Sequence, residues 1–146
     1  MLFGCYLRDG IVYVPTIARR ESGPIYTDIE PVAVVPVSNS EDVRRALLET
    51  IARKNVVIPD PDPKALRAPP LMLKYAGVRS WSAFFRNAST WSIREDDGVY
   101  KIIFYRKHPK KYWEQDLAQE IQFQWEQRSM MSSTRMIAIL QEAAGQ

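Results

Sequence analysis

The sequence predicts an α+β fold: a mostly antiparallel sheet built from hairpins, with two main helices packed on one side. Three observations predict it. Two Asp-Gly pairs, Asp9-Gly10 and Asp97-Gly98, each separate β-branched or aromatic runs, and Asp-Gly supplies the positive φ angles of a tight hairpin turn. Two further segments carry apolar stripes at helical spacing. Their order is strands, helix, loop, strands, helix, with no internal repeat, which suits an antiparallel sheet with helices on one face.

The elements follow in chain order. Phe3 to Leu7 and Ile11 to Ile17 form the first hairpin. Ile25 to Val37 is rich in valine but carries Pro31 and Pro36, so it is expected at a sheet edge or broken at Pro31. Ser38 with Glu41 matches the capping box, and Val43, Ala46, Leu47 and Ile51 form the stripe of the helix that follows. Five of the ten prolines fall at positions 59, 61, 63, 69 and 70, which marks 59–70 as an extended surface loop within a single domain spanning 1–146.

Ser80 to Asn87 predicts a short helical turn capped by Ser80, presenting Trp81, Phe84 and Phe85. Thr90 to Arg94 and Val99 to Lys107 form the second hairpin, and Val99 to Tyr105, apolar on both faces apart from Lys101, is the expected central strand. Ile121, Phe123 and Trp125 alternate with glutamines, as in a peripheral strand with one buried face. Ser132 or Ser133 is the expected cap of a last helix with the stripe Met136, Ile137, Leu140 and Ala144, ended by Gly145.

A chain of 146 residues with 46% hydrophobic and 25% charged residues has the composition of a folded globular protein. The single cysteine, Cys5, cannot form an internal disulfide, no run approaches the roughly 20 apolar residues that span a bilayer, and the first ten residues lack a signal-peptide core. A reducing, cytoplasmic setting is expected, with no membrane partner. Net charge is +3, but it is unevenly spread: residues 74–113 hold nine basic against three acidic residues, and residues 114–146 hold two against five.

No catalytic, cofactor or metal signature accompanies this. One Cys and one His are too few for structural zinc, and Asp60 with Asp62 or Glu95 with Asp96 and Asp97 read as solvated turn carboxylates. Cys5 and His108 have no surrounding nucleophile motif, and no phosphate-binding glycine loop is present. The chain is therefore expected to be no enzyme. Tyr75, Trp81, Phe84, Phe85 and Trp91 form an aromatic concentration explained by core packing. The basic aromatic segment 105–113 has the composition of a single-stranded nucleic-acid surface. There Arg106, Lys107, Lys110 and Lys111 would neutralise phosphates while Tyr112 stacks on a base, and a nucleic-acid-binding module is the alternative function.

The stretches LKYAGVRSWSAFFRNASTWSI (73–93), IVYVPTIA (11–18) and EPVAVVPV (30–37) resemble small bacterial immunity proteins of contact-dependent growth inhibition systems. That resemblance implies a non-catalytic binding protein whose partner is a cognate toxin domain. It carries over no functional residue. The chain departs from the acidic character common among inhibitors of basic nucleases, so any acidic partner face must be local. Trp113 beside Glu114, Asp116 and Glu120 offers one, with an aromatic anchor among carboxylates.

Overall fold

A computed structural model describes residues 1–124 and 129–145. The elements are β1 (Leu2–Arg8), β2 (Ile11–Arg20), β3 (Tyr26–Pro36), α1 (Ser40–Arg53), β4 (Val57–Ile58), α2 (Leu71–Ala76), α3 (Trp81–Arg86), β5 (Ala88–Asp96), β6 (Val99–His108), β7 (Tyr112–Gln124) and α4 (Ser129–Ala144). The expected α+β class and antiparallel sheet are present. Strand order is β3-β2-β1-β5-β6-β7 with all these neighbours antiparallel, and two-residue β4 lies parallel to the end of β2.

Both Asp-Gly turns have the backbone that the dipeptide favours: Asp9 and Gly10 sit at φ 51° and 76°, Asp97 and Gly98 at 51° and 77°. The two hairpins meet through β1 and β5, paired from Leu2 with Arg94 to Arg8 with Ala88. β1 and β5 thus occupy the centre. β6, expected there, lies next to the edge; its two apolar faces arise because Tyr100 and Ile102 enter the helix-side core while Ile103 is buried as well.

The first sheet face carries the main core. Phe3, Cys5, Leu7, Val12, Val14, Ile93 and Ile102 meet Val43 and Leu47 of α1 and Met136, Ile137 and Leu140 of α4. Each Val, Leu, Ile, Phe or Met side chain among these contributes roughly 1.5–3 kcal/mol by leaving water. Ala144 falls outside the buried stripe, which instead runs through Ala143. Helix α4 begins at Ser129, so Ser132 and Ser133 lie within it rather than capping it. Trp125 lies outside the described residues.

Helix α1 starts one residue later than its capping-box pattern suggests. Asn39, not Ser38, is the cap: its Oδ1 accepts from the Asp42 N–H at 3.2 Å and its Nδ2 donates to Asp42 Oδ2 at 2.7 Å. Asn39→Ala is expected to lower stability by about 1 kcal/mol and Ser38→Ala by less than about 0.5 kcal/mol, as read from urea midpoints at constant m. The opposite ranking would restore Ser38 as the cap.

The second sheet face is partly covered by the short helices α2 and α3, over Tyr13, Met72, Leu73, Phe84 and Ala88. Ser80 caps α3 as expected, accepting from the Ala83 N–H at 3.2 Å. α2 follows directly on the proline-rich stretch, where no element was expected; Pro70 precedes its first turn and Gly77, at φ 67°, ends it. Lys74 Nζ donates to Glu30 Oε1 at 2.9 Å, tying α2 to β3.

The margins of the sheet are β3 and β7. β3 contains Pro31 and Pro36, as an edge strand tolerates. β7 is bulged: Ile103 pairs with Glu120 and Tyr105 with Gln115, so residues 116–119 stand opposite Phe104 alone. Between β1 and β2 the ladder runs only from Arg8–Ile11 to Tyr6–Tyr13. Where it stops, the Asn55 side chain bridges the strands, accepting from the Leu2 N–H at 2.7 Å and donating to the carbonyls of Leu2 (2.7 Å) and Ile17 (2.9 Å).

Candidate partner interface

The residues singled out for function gather on the β6–β7 hairpin. At its end, Lys111 takes φ 65° in a three-residue connection whose ends are His108 and Tyr112, stacked with ring centroids 4.3 Å apart. This connection is docked on α3: Trp81 Nε1 donates to the Lys111 carbonyl at 3.2 Å and Lys111 Nζ to Ser82 Oγ at 3.0 Å. Lys107 Nζ donates to the Arg86 carbonyl at 2.8 Å and lies 5.2 Å from the Phe85 ring centroid. Burial lowers its pKa. Arg106 pairs with Glu114 at 2.8 Å. All four cations proposed for phosphates are exposed, but the side chains of Arg106, Lys107 and Lys111 are engaged within the fold.

Trp113 is also engaged inward. Its ring packs against Tyr6, Trp81, Phe84 and Phe85, with the Phe85 centroid 4.8 Å away. Its buried Nε1 has no hydrogen-bond partner, so packing alone holds it. Glu120 pairs with Lys101 at 3.4 Å. Asp116 shapes the bulge, accepting from the Ala118 N–H at 3.2 Å and from Gln119 Nε2 at 2.7 Å.

The side chain that this bulge presents was not among those expected. Leu117, within the bulged stretch 116–119, is 82% exposed; Asp116 precedes it in the chain, and Glu114 and Glu120, on either side of the bulge in sequence, are each ion-paired to β6. Beside it a groove of about 460 Å³ runs between β7 and α4, with Trp91, Phe104 and Ile139 among its walls and Glu120, Arg135 and Glu142 among its polar residues. An apolar projection and apolar walls, rimmed by charges of both signs, match the anatomy of a protein-binding surface.

A second feature without any local sequence signal is the Tyr6–Asp28 pair, in which Tyr6 reaches across β2 from β1 to β3. Its OH donates to Asp28 Oδ2 at 2.7 Å. Burial raises the Asp28 carboxyl above its ordinary value, partly offset by this bond, and burial likewise raises the Tyr6 phenol. Because the folded state keeps the Asp28 proton to higher pH than the unfolded chain, this group's contribution to stability falls as pH rises from about 4 through its raised value. Asp28→Asn, which cannot titrate, is expected to gain stability relative to the parent across that window. Denaturation midpoints of both proteins from pH 3.5 to 7 test it, and a difference independent of pH refutes it.

Cys5 is fully enclosed in the helix-side core, where burial pushes its thiol up to about 12. His108 lies in the hairpin end, its Nδ1 accepting from the Lys110 N–H at 3.1 Å. No group of three or more His, Cys, Asp or Glu able to hold a metal occurs among the described residues. Among them, no helix is long and apolar enough to cross a membrane.

The architecture so defined is an antiparallel α+β sheet with a two-helix layer on one face and two short helices on the other. No family sequence model matches the chain, and no curated protein matches it in sequence. Solved structures do match in fold. One is a protein of unknown function from Neisseria meningitidis, at TM-score 0.68 and 13% identity, covering 98% of this chain and 95% of that one. Another is a chain of a CdiA-CT/CdiI toxin and immunity complex from Yersinia pseudotuberculosis, at TM-score 0.65 and 9% identity, covering 95% of each. At these identities the likeness is one of fold. It agrees with the resemblance to contact-dependent growth inhibition immunity proteins drawn from the sequence.

Proposed function

We propose that this chain is a cytoplasmic, non-catalytic immunity protein that binds and neutralises a cognate bacterial toxin domain. The observation that carries the reading is the near full-length fold likeness to a chain of a toxin–immunity complex. The β7 edge supplies the surface: Leu117 is the apolar contact, Asp116, Glu114 and Glu120 are its polar surround, and Trp113 anchors the strand from beneath. Buried Cys5, with its thiol held protonated, supports the absence of a cysteine nucleophile. Geometry favours this over nucleic-acid binding, since Arg106, Lys107 and Lys111 already have partners in the fold.

The test is co-expression with the toxin encoded in the adjacent reading frame. Cells carrying this chain are expected to survive induction of that toxin. Equal killing with and without it sinks the reading.

A further inference from the structure

The second sheet face holds a trough that neither short helix fills. It lies where the β1–β2 ladder has ended, and Gly4 and Ser92 leave its floor low. A Cβ added at Gly4 would come 3.2 Å from the Trp91 carbonyl and 3.7 Å from Ser92 Oγ. One chamber, of about 150 Å³, is bordered by Gly4, Thr90 and Ser92, and a wider one, of about 540 Å³, opens beside it toward α2. Tyr6, Tyr26 and Asp28 border both. The smaller alone is about ten times the roughly 10–15 Å³ that one water needs.

The chemistry of this trough is one-sided. Asp28 Oδ2 accepts from Tyr6, while Oδ1 has no hydrogen bond and neither oxygen has an ion-pair partner among the described residues. Burial raises the carboxyl and the Tyr6 bond lowers it, and no cation among the described residues pairs with it. A carboxylate in a groove with one neutral donor is under-compensated, and a cation arriving from outside restores the balance. Tyr26, Thr90 and Ser92 border it with hydroxyls; Thr90 Oγ1 donates to the Cys5 carbonyl and Ser92 Oγ accepts from the Tyr105 OH, and each hydroxyl oxygen keeps acceptor capacity of the kind a head group with several N–H donors requires. Ile17 and Leu2 at one end, and Leu71 and Met72 at the other, form apolar walls for an aliphatic stem.

We propose that the Asp28 trough is a binding site for a guanidinium or alkylammonium group carried on an aliphatic stem. An anion meets the Asp28 charge and is refused. A divalent metal would want several oxygen ligands, and among the described residues no group of three or more His, Cys, Asp or Glu gathers here. The inference does not depend on the toxin reading, and the probes below contain no toxin, so either can fail alone.

The experiment follows backbone amide shifts of the whole chain during titration with n-butylguanidinium, with n-butylurea as the uncharged isostere. Saturable shifts centred on Tyr6, Asp28 and Ser92 are expected for the cation and not for the urea. Asp28→Asn keeps an acceptor for Tyr6 and is expected to weaken cation binding about tenfold or more. Ser92→Val, which narrows the trough and spares the carboxylate, is expected to weaken it as well. The source of the cation is read by comparing acetyl-Gly-Arg-Gly-amide with spermidine. Tighter binding of the capped peptide assigns the site to a basic side chain of a protein partner, and tighter binding of spermidine assigns it to a free amine. Equal response to butylurea, unchanged affinity in both variants, or shifts scattered over exposed carboxylates such as Asp9 and Glu21 overturns the proposal.

Discussion

Leu117→Arg is expected to weaken the proposed binding to a toxin domain by about 2 kcal/mol or more, roughly 30-fold in Kd, while leaving the fold intact. The side chain is 82% exposed, so nothing in the free protein depends on it, and surface changes of that kind stay within about 0.5 kcal/mol of neutral. In the complex the position changes character. Covering a leucine contributes roughly 1.5–3 kcal/mol, and a guanidinium in its place must be desolvated against whatever apolar recess received it. Calorimetric titration with the toxin domain measures the loss, and thermal denaturation confirms the unaltered fold. Leu66→Arg, at another exposed leucine in the proline-rich loop, serves as the matched control with no expected effect. Equal affinities for Leu117→Arg and the parent would remove β7 from the interface.

Phe84→Ala is expected to destabilise the protein by about 3–5 kcal/mol. Phe84 has no exposed surface, and its ring meets Tyr6 at 5.7 Å, Tyr13 at 6.4 Å, Trp81 at 5.5 Å and Trp113 at 6.5 Å between centroids. Removing it leaves a cavity whose walls come from β1, β2, β7 and α3, and these cannot all collapse inward together. Such a loss is a large share of the 5–15 kcal/mol that holds a domain folded. Urea denaturation measures it, and a cost below about 1.5 kcal/mol would show that the second face relaxes around the gap.

Local chemistry made part of this molecule legible. Asp9-Gly10 and Asp97-Gly98 demand positive φ whatever surrounds them, and both hairpins are present. The Ser80 cap and the α1 stripe are likewise short-range patterns. What depends on distant partners was hidden. Pro69 and Pro70 read as loop, yet a proline just before a first helical turn costs nothing, and α2 follows directly with Gly77 at its end. β6 has the apolar faces of a central strand, but its rank was decided by the β1–β5 pairing of residues about ninety positions apart.

The first half of β7 shows no alternation of apolar and polar residues, because a bulged edge strand need bury no regular face. Leu117 carries no signal in a segment of Glu, Gln and Asp until the register with β6 sets residues 116–119 outside the ladder. Asp28 and Tyr6 belong to strands separated by a third, so no spacing links them.

The two margins of the sheet have a consequence for the protein in a crowded solution. A second copy seeking to extend the sheet at β3 meets Pro31 and Pro36, which offer no N–H, and at β7 meets an outward loop where a straight run of donors and acceptors should be. Neither side can template filament growth. For the toxin-neutralising role proposed above, such margins would keep a protein held in reserve dispersed and available.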